Sequence, residues 1–385
     1  MRYTKNPRST APVDLLFYAE DPGAANFIAP LAAACGERGF TCSVLAGGAA
    51  AKTFSESGIL FEALSALSPV EEALERYSPR MVVVGTSENP RSPGLPLVEA
   101  ARRAHIPSVG AVDAFMNAAY RFRGETEDAL AYAPDDLLVP DRWTKEEFVS
   151  IGYSEDHVCI CGHPHYDFVR GRAQTLEAMG KEKLRASLFP EDAQHRVIAL
   201  FAAETSTGLN PDQFFRSNDY TLRGRGGSPK RTDIVLEEFL DALPGGRGRP
   251  YLVLRLHPKN EPEEFRPYLS EFDQVSREEP ALEMVFAGDC VFGITTMLLL
   301  EATLMERPTF SIVPRHVEKE WLPSVRAGLT LSASTREEIR DLLPGFLKNV
   351  SSGKRICPEE AFVFGATGRA LAFIDPILRR SGSSI

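Results

Sequence analysis

Short runs of consecutive Val, Ile and Leu, each followed by a segment with helical spacing, recur along the chain. In the first half these runs are VDLLFYA (13–19), TCSVLAGG (41–48), MVVVGTS (81–87), IPSVGAVD (106–113), DLLVP (136–140) and VCICG (158–162). Continuous apolar runs, as opposed to alternating ones, are typical of parallel strands that helices cover on both faces. The pattern therefore predicts a doubly wound domain built from βαβ units.

The same rhythm restarts after a polar, helical stretch. HRVIALFAAE (195–204), YLVLRLHP (251–258), CVFGIT (290–295) and PTFSIVP (308–314) are the later strand candidates. A length of 385 residues also favours two domains over one core. We expect an α/β protein with two Rossmann-like domains facing a cleft. Their predicted bounds are 1–165 and 195–385, joined by a hinge or linker helix at 166–194, and the last helix can pack back on the first domain.

Composition narrows the class of protein. Charged residues make up 25% of the chain and hydrophobic residues 43%, as in soluble globular proteins. No segment approaches the roughly 18 continuous apolar residues of a membrane span, and the start, MRYTKNPRSTAPVD, lacks the apolar core of a secretion signal. We therefore expect a cytoplasmic protein.

The net charge of −10 argues against a nucleic-acid partner. The longest basic cluster, RGRGGSPKR (223–231), is rich in Gly and Ser, which favours a mobile loop over a nucleic-acid contact. The six cysteines form no CxxC pair and have no companion histidine at zinc-finger spacing, so we expect no metal site.

Polar residues follow the predicted strands, where ligands bind in an open parallel sheet. They are Asp21, Glu88, Asp113, His163, Glu204, His257 and Thr295. In LRLHPKN (254–260), Arg255 and His257 alternate at the end of an apolar strand, Pro258 ends that strand, and Lys259 follows. Such a cluster of donors suits a phosphate group. The alternative is a histidine that bonds a backbone carbonyl near the surface.

The next strand ends in GITTMLLLE (293–301). Gly293 permits close backbone approach, and Thr295 or Thr296 can cap a helix whose first-turn N–H groups form an anion site. Glu301 lies about one and a half turns further along this apolar helix, where its carboxylate can accept hydrogen bonds from ribose hydroxyls. The alternative is an ion pair between Glu301 and a basic neighbour such as Arg307 or Arg255.

These two motifs together resemble the nucleotide-binding domain of GT-B glycosyltransferases and their relatives. The relatives include UDP-N-acetylglucosamine 2-epimerases, lipid A disaccharide synthases, and the His-Pro-motif sialyltransferases, Kdo transferases and CDP-glycerol transferases. By this resemblance His257, Pro258, Thr295 and Thr296 would hold the nucleotide phosphate, and Glu301 would be the helix acid. The chain has two threonines where that last group usually has serine.

YAEDPGAANFIAPLAAACGERG (18–39) is similar to the opening strand, loop and helix of a GT-B amino-terminal domain. Asp21 is placed to act as a general base on an acceptor hydroxyl. It can equally be a helix-capping residue that precedes a proline at the first helical position. We expect the acceptor side to be formed by Gly23, Asn26, Glu88 and Asp113.

Three further loops carry candidate residues. In GHPHYD (162–167), His163 is either a catalytic base or a linker residue. FAAETSTGLN (201–210) is either a donor-binding loop or a plain Ser/Thr turn. Its donor-side candidates are Glu204, Thr205 and Ser206. VPRHVEKEWLP (313–323) adds further donor-side candidates, namely His316, Glu318 and Lys319.

The resemblance implies a glycosyltransferase of polysaccharide biosynthesis. Such an enzyme would move a sugar, or a polyol phosphate, from a CMP-, CDP- or UDP-linked donor to a surface glycan or another carbohydrate acceptor. It would need no tightly bound cofactor, and a lipid-linked acceptor would bring it to the periphery of the inner membrane. His257 and Arg255 would stabilise the leaving phosphate.

Two alternatives stay open. One is a UDP-sugar 2-epimerase or hydrolase, with Asp113, Glu88 and His163 as acid and base groups. The other is a protein that binds a nucleotide sugar without catalysis.

Overall fold

The computed structural model describes residues 12–64, 69–114, 116–205, 214–353 and 357–381. The chain divides into two compact units. We call Met1–Asp167 together with Phe362–Ile385 the first unit, and Phe168–Ala361 the second unit. Each unit is built around one parallel sheet with helices between the strands, so the predicted α/β class with two doubly wound domains is confirmed.

The first unit follows the predicted order of strands and helices. Its strands are β1 (Leu15–Ala19), β2 (Cys42–Ala46), β3 (Glu62–Ala63), β4 (Met81–Gly85), β5 (Ser108–Ala111), β6 (Asp136–Val139) and β7 (Val158–Ile160). Its helices are α1 (Pro22–Glu37), α2 (Ala50–Glu56), α3 (Val70–Tyr77), α4 (Gly94–Arg103), α5 (Ala118–Arg121), α6 (Arg142–Ser150) and, at the end of the chain, α14 (Ala366–Ser381). Helix α7 (Pro164–Met179) runs across the division between the units.

The second unit repeats the architecture. Its strands are β8 (Ile198–Ala202), β9 (Tyr251–Arg255), β10 (Gln274–Ser276), β11 (Cys290–Gly293), β12 (Thr309–Ile312) and β13 (Leu331–Ala333). Its helices are α8 (Lys181–Leu188), α9 (Arg231–Ala242), α10 (Ala281–Ala287), α11 (Met297–Leu304), α12 (Pro323–Arg326) and α13 (Arg336–Ser351).

The strand order is the same in both sheets near their centres. It is β3-β2-β1-β4-β5-β6-β7 in the first unit and β10-β9-β8-β11-β12-β13 in the second, and the paired strands are parallel. In each unit the chain first adds strands on one side of β1 or β8 and then crosses over to add the remaining strands on the other side. This reversal places a topological switch point between β1 and β4, and another between β8 and β11.

Burial on both faces explains why the strands read as continuous apolar runs. In β1, Leu15 and Phe17 belong to the core under α1, α2 and α14, while Leu16 and Tyr18 belong to the core under α3 and α4. Successive side chains of a strand point to opposite faces. Each position of such a strand must therefore be apolar.

The C-terminal helix α14 is part of the first unit's core. Its residues Ala370, Leu371 and Ile374 are buried in the same cluster as the apolar face of α1. Asp167, at the start of α7, accepts hydrogen bonds from the N–H groups of Gly365 (2.8 Å) and Ala366 (2.7 Å) and so caps α14. The first unit is thus completed by residues from the far end of the chain.

The span 166–194, expected as a linker, contains most of α7 and all of α8. Strands β3, β10 and β13 were not predicted; each has two or three residues and lies at the edge of a sheet. Among the described residues, no helix has both the length and the apolar character that a membrane crossing requires.

Candidate functional site

The carboxyl ends of β8 and β11 form the switch point of the second unit, and predicted site residues follow both strands. Glu204 follows β8 and Thr295 follows β11. The Thr295 N–H donates a hydrogen bond to Glu204 Oε1 (2.6 Å), and the Thr295 hydroxyl lies 3.4 Å from the same oxygen. Two residues separated by 91 positions are thus brought together as the strand pattern predicts.

Arg231, the first residue of α9, lies at the centre of this switch point. Its Nη1 donates to Glu204 Oε2, and its Nη2 donates to Thr295 Oγ1 (3.1 Å). Its Nε donates to Glu318 Oε2 (3.0 Å), which Nη2 also contacts. Only 4% of the Arg231 side chain is exposed, and none of Glu318 is. One guanidinium therefore joins the loops after β8, β11 and β12.

Arg231 was not among the predicted site residues, because it ends the Gly- and Ser-rich cluster RGRGGSPKR. In the structure this segment is held in place: the N–H groups of Arg223 and Gly224 donate to Glu238 Oε1 (3.2 and 2.8 Å). The expectation of a mobile loop did not allow for the acids of α9. The available signal was the arginine immediately before the helical pattern TDIVLEEFLDAL.

Charges at this switch point are balanced inside the protein. Burial opposes the charge of Arg231, but the neighbouring Glu204 and Glu318 raise the pKa of its guanidinium above the ordinary value. Arg315 Nε donates to the other oxygen of Glu318 (2.6 Å). Two guanidinium groups thus face two carboxylates, which is the pairing that buried charges require.

His257 follows β9 and is half-buried. Its Nδ1 accepts a hydrogen bond from the Lys259 N–H (3.1 Å), and its own N–H donates to Asn260 Oδ1 (3.1 Å). Burial, and then the charge of Lys259, lower the pKa of the imidazole, although Glu204 raises it. The neutral ring therefore carries its proton on Nε2, because Nδ1 is used as an acceptor. Pro258 and Lys259 are exposed in the turn beside it.

Arg255 lies in a different environment from His257. Its guanidinium is buried, donates to Ser276 Oγ at the end of β10 (2.8 Å) and lies 4.0 Å from Glu279. Burial lowers the pKa of Arg255. These two contacts direct the cation toward the edge strand β10, and its contact with a phosphate stays a prediction.

The turn from β11 into α11 has the expected capping. Thr296 is the N-cap, and its Oγ1 accepts from the Leu298 N–H (3.3 Å). A Cβ added at Gly293 would lie 3.1 Å from Thr296 Cγ2, so glycine allows the close approach of this turn. Within the described residues, no protein acceptor faces the N–H groups of Thr296 and Met297.

Glu301 lies one turn beyond the start of α11. It is half-buried on the same face as the exposed Met297, while Leu299, Leu300 and the later residues of the helix are buried. Thr205 is half-buried beside Glu204. Ser206 lies outside the described residues.

The first unit also gathers predicted residues at its switch point. Asp21 occupies the N-cap position of α1 with Pro22 after it, but its side chain makes no capping bond. It hydrogen-bonds Ser87, after β4, instead, while burial, followed by the charges of Glu20 and Asp113, raises the pKa of its carboxyl group. A half-buried carboxyl with a raised pKa is suited to accept or hold a proton.

Asp113 closes this arrangement against α1. A Cβ added at Gly23 would lie 1.9 Å from Asp113 Oδ2, so any larger residue there would force the Asp113 carboxylate to move. Asp113 Oδ1 accepts from the buried Arg121 Nη1 (2.8 Å), which also donates to Thr86 Oγ1 (2.8 Å). Arg121 was not among the predicted site residues. It joins the loops after β4 and β5, as Arg231 joins loops in the second unit.

The other two acceptor-side residues lie nearby in the chain. Glu88 is exposed, and its Oε1 accepts a hydrogen bond from Asn117 Nδ2 (2.9 Å). Asn26 is half-buried in the second turn of α1. No contact in the described residues joins either side chain to Asp21 or Asp113.

His163 is fully buried in the first unit. Its ring stacks on Tyr166 with centroids 5.0 Å apart and meets the edge of Phe27 at 5.1 Å. Its Nδ1 accepts the N–H of His165 (3.0 Å), one of the first N–H groups of α7. This geometry is that of a helix-capping linker residue, and a role as a base stays a prediction.

Two further features bear on ligands. Among the described residues, no group of three or more His, Cys, Asp or Glu side chains is arranged to hold a metal ion. A cavity of about 600 Å³ lies at the opposite, amino edge of the second unit, beside Asp289 and Pro308. It includes none of the predicted site residues.

Comparison with solved structures finds similarity along nearly the whole chain. The UDP-GlcNAc 2-epimerase from Neisseria meningitidis, bound to UDP-GlcNAc, is 14% identical over 95% of this chain and 99% of its own, with a TM-score of 0.63. The Methanocaldococcus jannaschii enzyme, in complex with UDP-GlcNAc and UDP, is 12% identical over 94% of this chain and 99% of its own, with a TM-score of 0.60.

A polymerase is similar as well. The wall teichoic acid polymerase TagF is 14% identical over 99% of this chain and 90% of its own, with a TM-score of 0.52. These similarities confirm the predicted GT-B-like fold. No protein-family model matches the sequence, and no curated protein is significantly similar to it in sequence.

Replacing Gly23 with alanine should destabilise the first unit. The new Cβ would overlap Asp113 Oδ2, and overpacking of this kind costs about 1–3 kcal/mol. Urea unfolding measures the change. In an Asp113→Ala background the same substitution should cost little, because the clashing carboxylate is gone. Gly368→Ala, at a helical glycine with open space around it, is the matched control; an equal loss in both single variants would contradict the close contact.

The burial of His163 makes a prediction about pH. Burial, assisted by His165, lowers the pKa of His163 from 6.5 to about 3. Between these values the unfolded chain binds a proton that the folded chain does not. The free energy of unfolding should therefore fall as pH drops below 6.5, by up to about 1.4 kcal/mol per pH unit from this group. Comparing urea unfolding of wild type and His163→Gln from pH 7 to pH 5 measures this component; identical slopes would refute it.

Proposed function

We propose that the protein is an enzyme that binds a nucleotide-linked sugar at the carboxyl edge of the second unit. The observation that carries the proposal is the convergence of Glu204, Thr295 and the missed Arg231 at the switch point between β8 and β11. Ligands of open α/β sheets bind at such a point. The similar structures with bound UDP or UDP-GlcNAc add support, because they share the fold.

In this proposal the phosphates lie between the turn after β11 and the loop after β9. The N–H groups of Thr296 and Met297 donate to phosphate oxygens, as at other helix N-termini. Neutral His257 donates through Nε2–H, with Pro258 fixing the turn and Lys259 adding a positive charge. Gly293 lets the backbone approach, and Thr295 and Thr296 bring hydroxyl groups. Arg255, the buried last residue of β9, adds a positive charge near the phosphates.

The sugar and ribose hydroxyls need acceptors. Glu301 accepts from the ribose, since its carboxylate follows the same helix start by about one turn. Glu204, Thr205 and Ser206 contact the donor sugar. A carboxylate repels phosphate, so the sugar hydroxyls are the suitable partners for Glu204.

The reaction we propose is transfer of the sugar, or of a polyol phosphate, to a carbohydrate acceptor. Asp21 is the general base for the acceptor hydroxyl. Its carboxyl group is half-buried, makes no helix-capping hydrogen bond and has a raised pKa. Gly23, Asn26, Glu88 and Asp113 form its surroundings. His163 is left out of this step, since its Nδ1 is occupied and its ring is buried.

A second candidate is epimerisation or hydrolysis of a UDP-sugar. The observation that favours it is the similarity in fold to UDP-GlcNAc 2-epimerases over 94–95% of this chain. In that reaction Asp113 and Glu88 would be the acid and base groups. The same fold supports both chemistries, so an assay must separate them.

The nucleotide is identified by thermal stabilisation. Unfolding is followed with UDP, CDP, CMP and, as the matched control, inorganic phosphate. A bound nucleotide at about 100 times its Kd adds roughly 2.7 kcal/mol of stability. Stabilisation by a uridine or cytidine nucleotide but not by phosphate is the expected result. No shift with any of these nucleotides at millimolar concentration would refute the proposal.

The reaction is identified with UDP-GlcNAc labelled in the sugar. Turnover to an epimer or to free sugar without an acceptor favours the second candidate. Turnover that starts only when a carbohydrate acceptor is added favours transfer. For transfer, Asp21→Asn should abolish turnover and leave nucleotide binding unchanged, because the base acts only on the acceptor.

Replacing Glu301 with glutamine should weaken nucleotide binding by about 1–3 kcal/mol, because a charged acceptor for the ribose is lost. Calorimetric titration measures the change, and the melting temperature without nucleotide reports any effect on folding. Glu182→Gln, at an exposed glutamate of α8, is the control. Equal affinity in the two variants would remove Glu301 from the ribose site.

A further inference from the structure

The arrangement around Arg231 extends the proposed function, on which it rests. We propose that Arg231 is a positioning residue: it fixes the carboxylate of Glu204 against Thr295 and thereby sets the phosphate-binding turn between β11 and α11. In this role Arg231 touches no ligand. It acts through Glu204 and Thr295.

The first step is that Arg231 itself has a fixed position. Its Nε (3.0 Å) and Nη2 both contact Oε2 of Glu318, a carboxylate with no exposed surface. Glu318 is held in turn by Arg315 Nε at its other oxygen (2.6 Å). The guanidinium is planar, with its five donors in a rigid fork. Fixing one edge of the group therefore fixes the direction of Nη1, which points to Glu204.

The second step is that Glu204 joins Arg231 to the turn. One carboxylate oxygen, Oε2, accepts from Arg231 Nη1, and the other, Oε1, accepts the Thr295 N–H (2.6 Å). A carboxylate is rigid and planar, so fixing one oxygen fixes the other. Arg231 Nη2 also donates to Thr295 Oγ1 (3.1 Å). The backbone and the hydroxyl of Thr295 are thus held by one arginine.

Arg231 also acts through its charge. Glu204 is a carboxylate at the edge where phosphate oxygens would bind, and its charge reaches His257, where it partly opposes the lowering of the pKa by burial and Lys259. With Arg231 in place, the positive guanidinium neutralises Glu204. Without it, an uncompensated negative charge would repel the ligand. Arg231 therefore supports the site in two ways, by geometry and by charge.

The competing explanation is a purely structural role, in which Arg231 stabilises the fold by joining the loops after three strands and does not affect ligand binding. The matched control is Arg185, an arginine with 12% of its side chain exposed, whose Nη1 donates to Asp289 (2.7 Å) at the amino edge of the same sheet. Arg231→Lys and Arg185→Lys each keep the positive charge but lose the planar set of guanidinium donors. Both are compared with wild type for stability by urea unfolding, and for the site by the readouts below.

The ligand-free readout is hydrogen exchange of the Thr295 amide. In Arg231→Lys we expect this amide to lose protection, because Glu204 is no longer held against it, while Arg185→Lys keeps it. Unchanged protection at Thr295 in Arg231→Lys would overturn the proposal. If Arg231→Lys does not fold, Glu204→Ala tests the same link from the other side. Thr295 must then lose its protection, and retained protection overturns the proposal equally.

The charge readout is the titration of His257 by NMR. Arg231→Gln should raise the pKa of His257, since Glu204 is then unneutralised, and adding Glu204→Gln should remove the rise. A His257 titration that Arg231→Gln leaves unchanged would contradict the charge part of the proposal.

The binding readout uses UDP as the probe. We expect Arg231→Lys to weaken UDP binding by roughly 10- to 100-fold, the size of effect that outer-shell partners have at metal sites. Arg185→Lys should bind UDP like wild type. An equal loss of UDP affinity in the two variants would favour the purely structural role. Wild-type protein that binds no nucleotide would refute the proposed function, whereas the Thr295 and His257 readouts would still decide the role of Arg231.

Discussion

A buried guanidinium paired with carboxylates lies at the switch point of each unit, and the candidate sites depend on it. A parallel sheet brings the ends of its strands to one edge, and here those ends carry Glu204 in one unit and Asp113 in the other. Removing carboxylates from water is costly unless a cation is buried with them. Arg231 and Arg121 are these cations, and each also binds a threonine hydroxyl of a neighbouring loop.

The two units use this interaction differently. In the second unit the charges of Glu204 and Glu318 are balanced by Arg231 and Arg315. In the first unit Asp21 lies beside Asp113 and Arg121, with burial as the main cause of its raised pKa. One edge thus offers neutral donors and helix N–H groups, and the other offers a carboxyl group that can exchange a proton. The proposed function assigns anion binding to the second unit and activation of a hydroxyl group to the first.

Predictions from the sequence succeeded where the local hydrophobic pattern reflects burial in the folded protein. The central strands were found because burial on both faces requires apolar residues at every position. Strands β3 (EA), β10 (QVS) and β13 (LSA) were missed because these short edge strands include polar residues and no continuous apolar run, whereas β7, an equally short edge strand, has one (VCI). The sequence also placed Glu204 and Thr295 directly after their strands, at the edge where a parallel sheet brings its strand ends together. Arg231 was missed because its Gly- and Ser-rich neighbourhood indicates a loop, and the acids that pair with it, Glu204 and Glu318, are distant in sequence.

The sequence by itself determined the α/β class, the positions of the central strands along the chain and the residues at the strand ends, because hydrophobic periodicity is a local property of the chain. Only the tertiary structure decided which of those residues interact. It turned Arg255 toward Ser276, buried His163 against Tyr166, and placed Arg231 between Glu204 and Glu318. The physical reason is that a charged or polar side chain is satisfied by whichever partner the folded chain brings within hydrogen-bonding distance, and that partner is often far away in sequence.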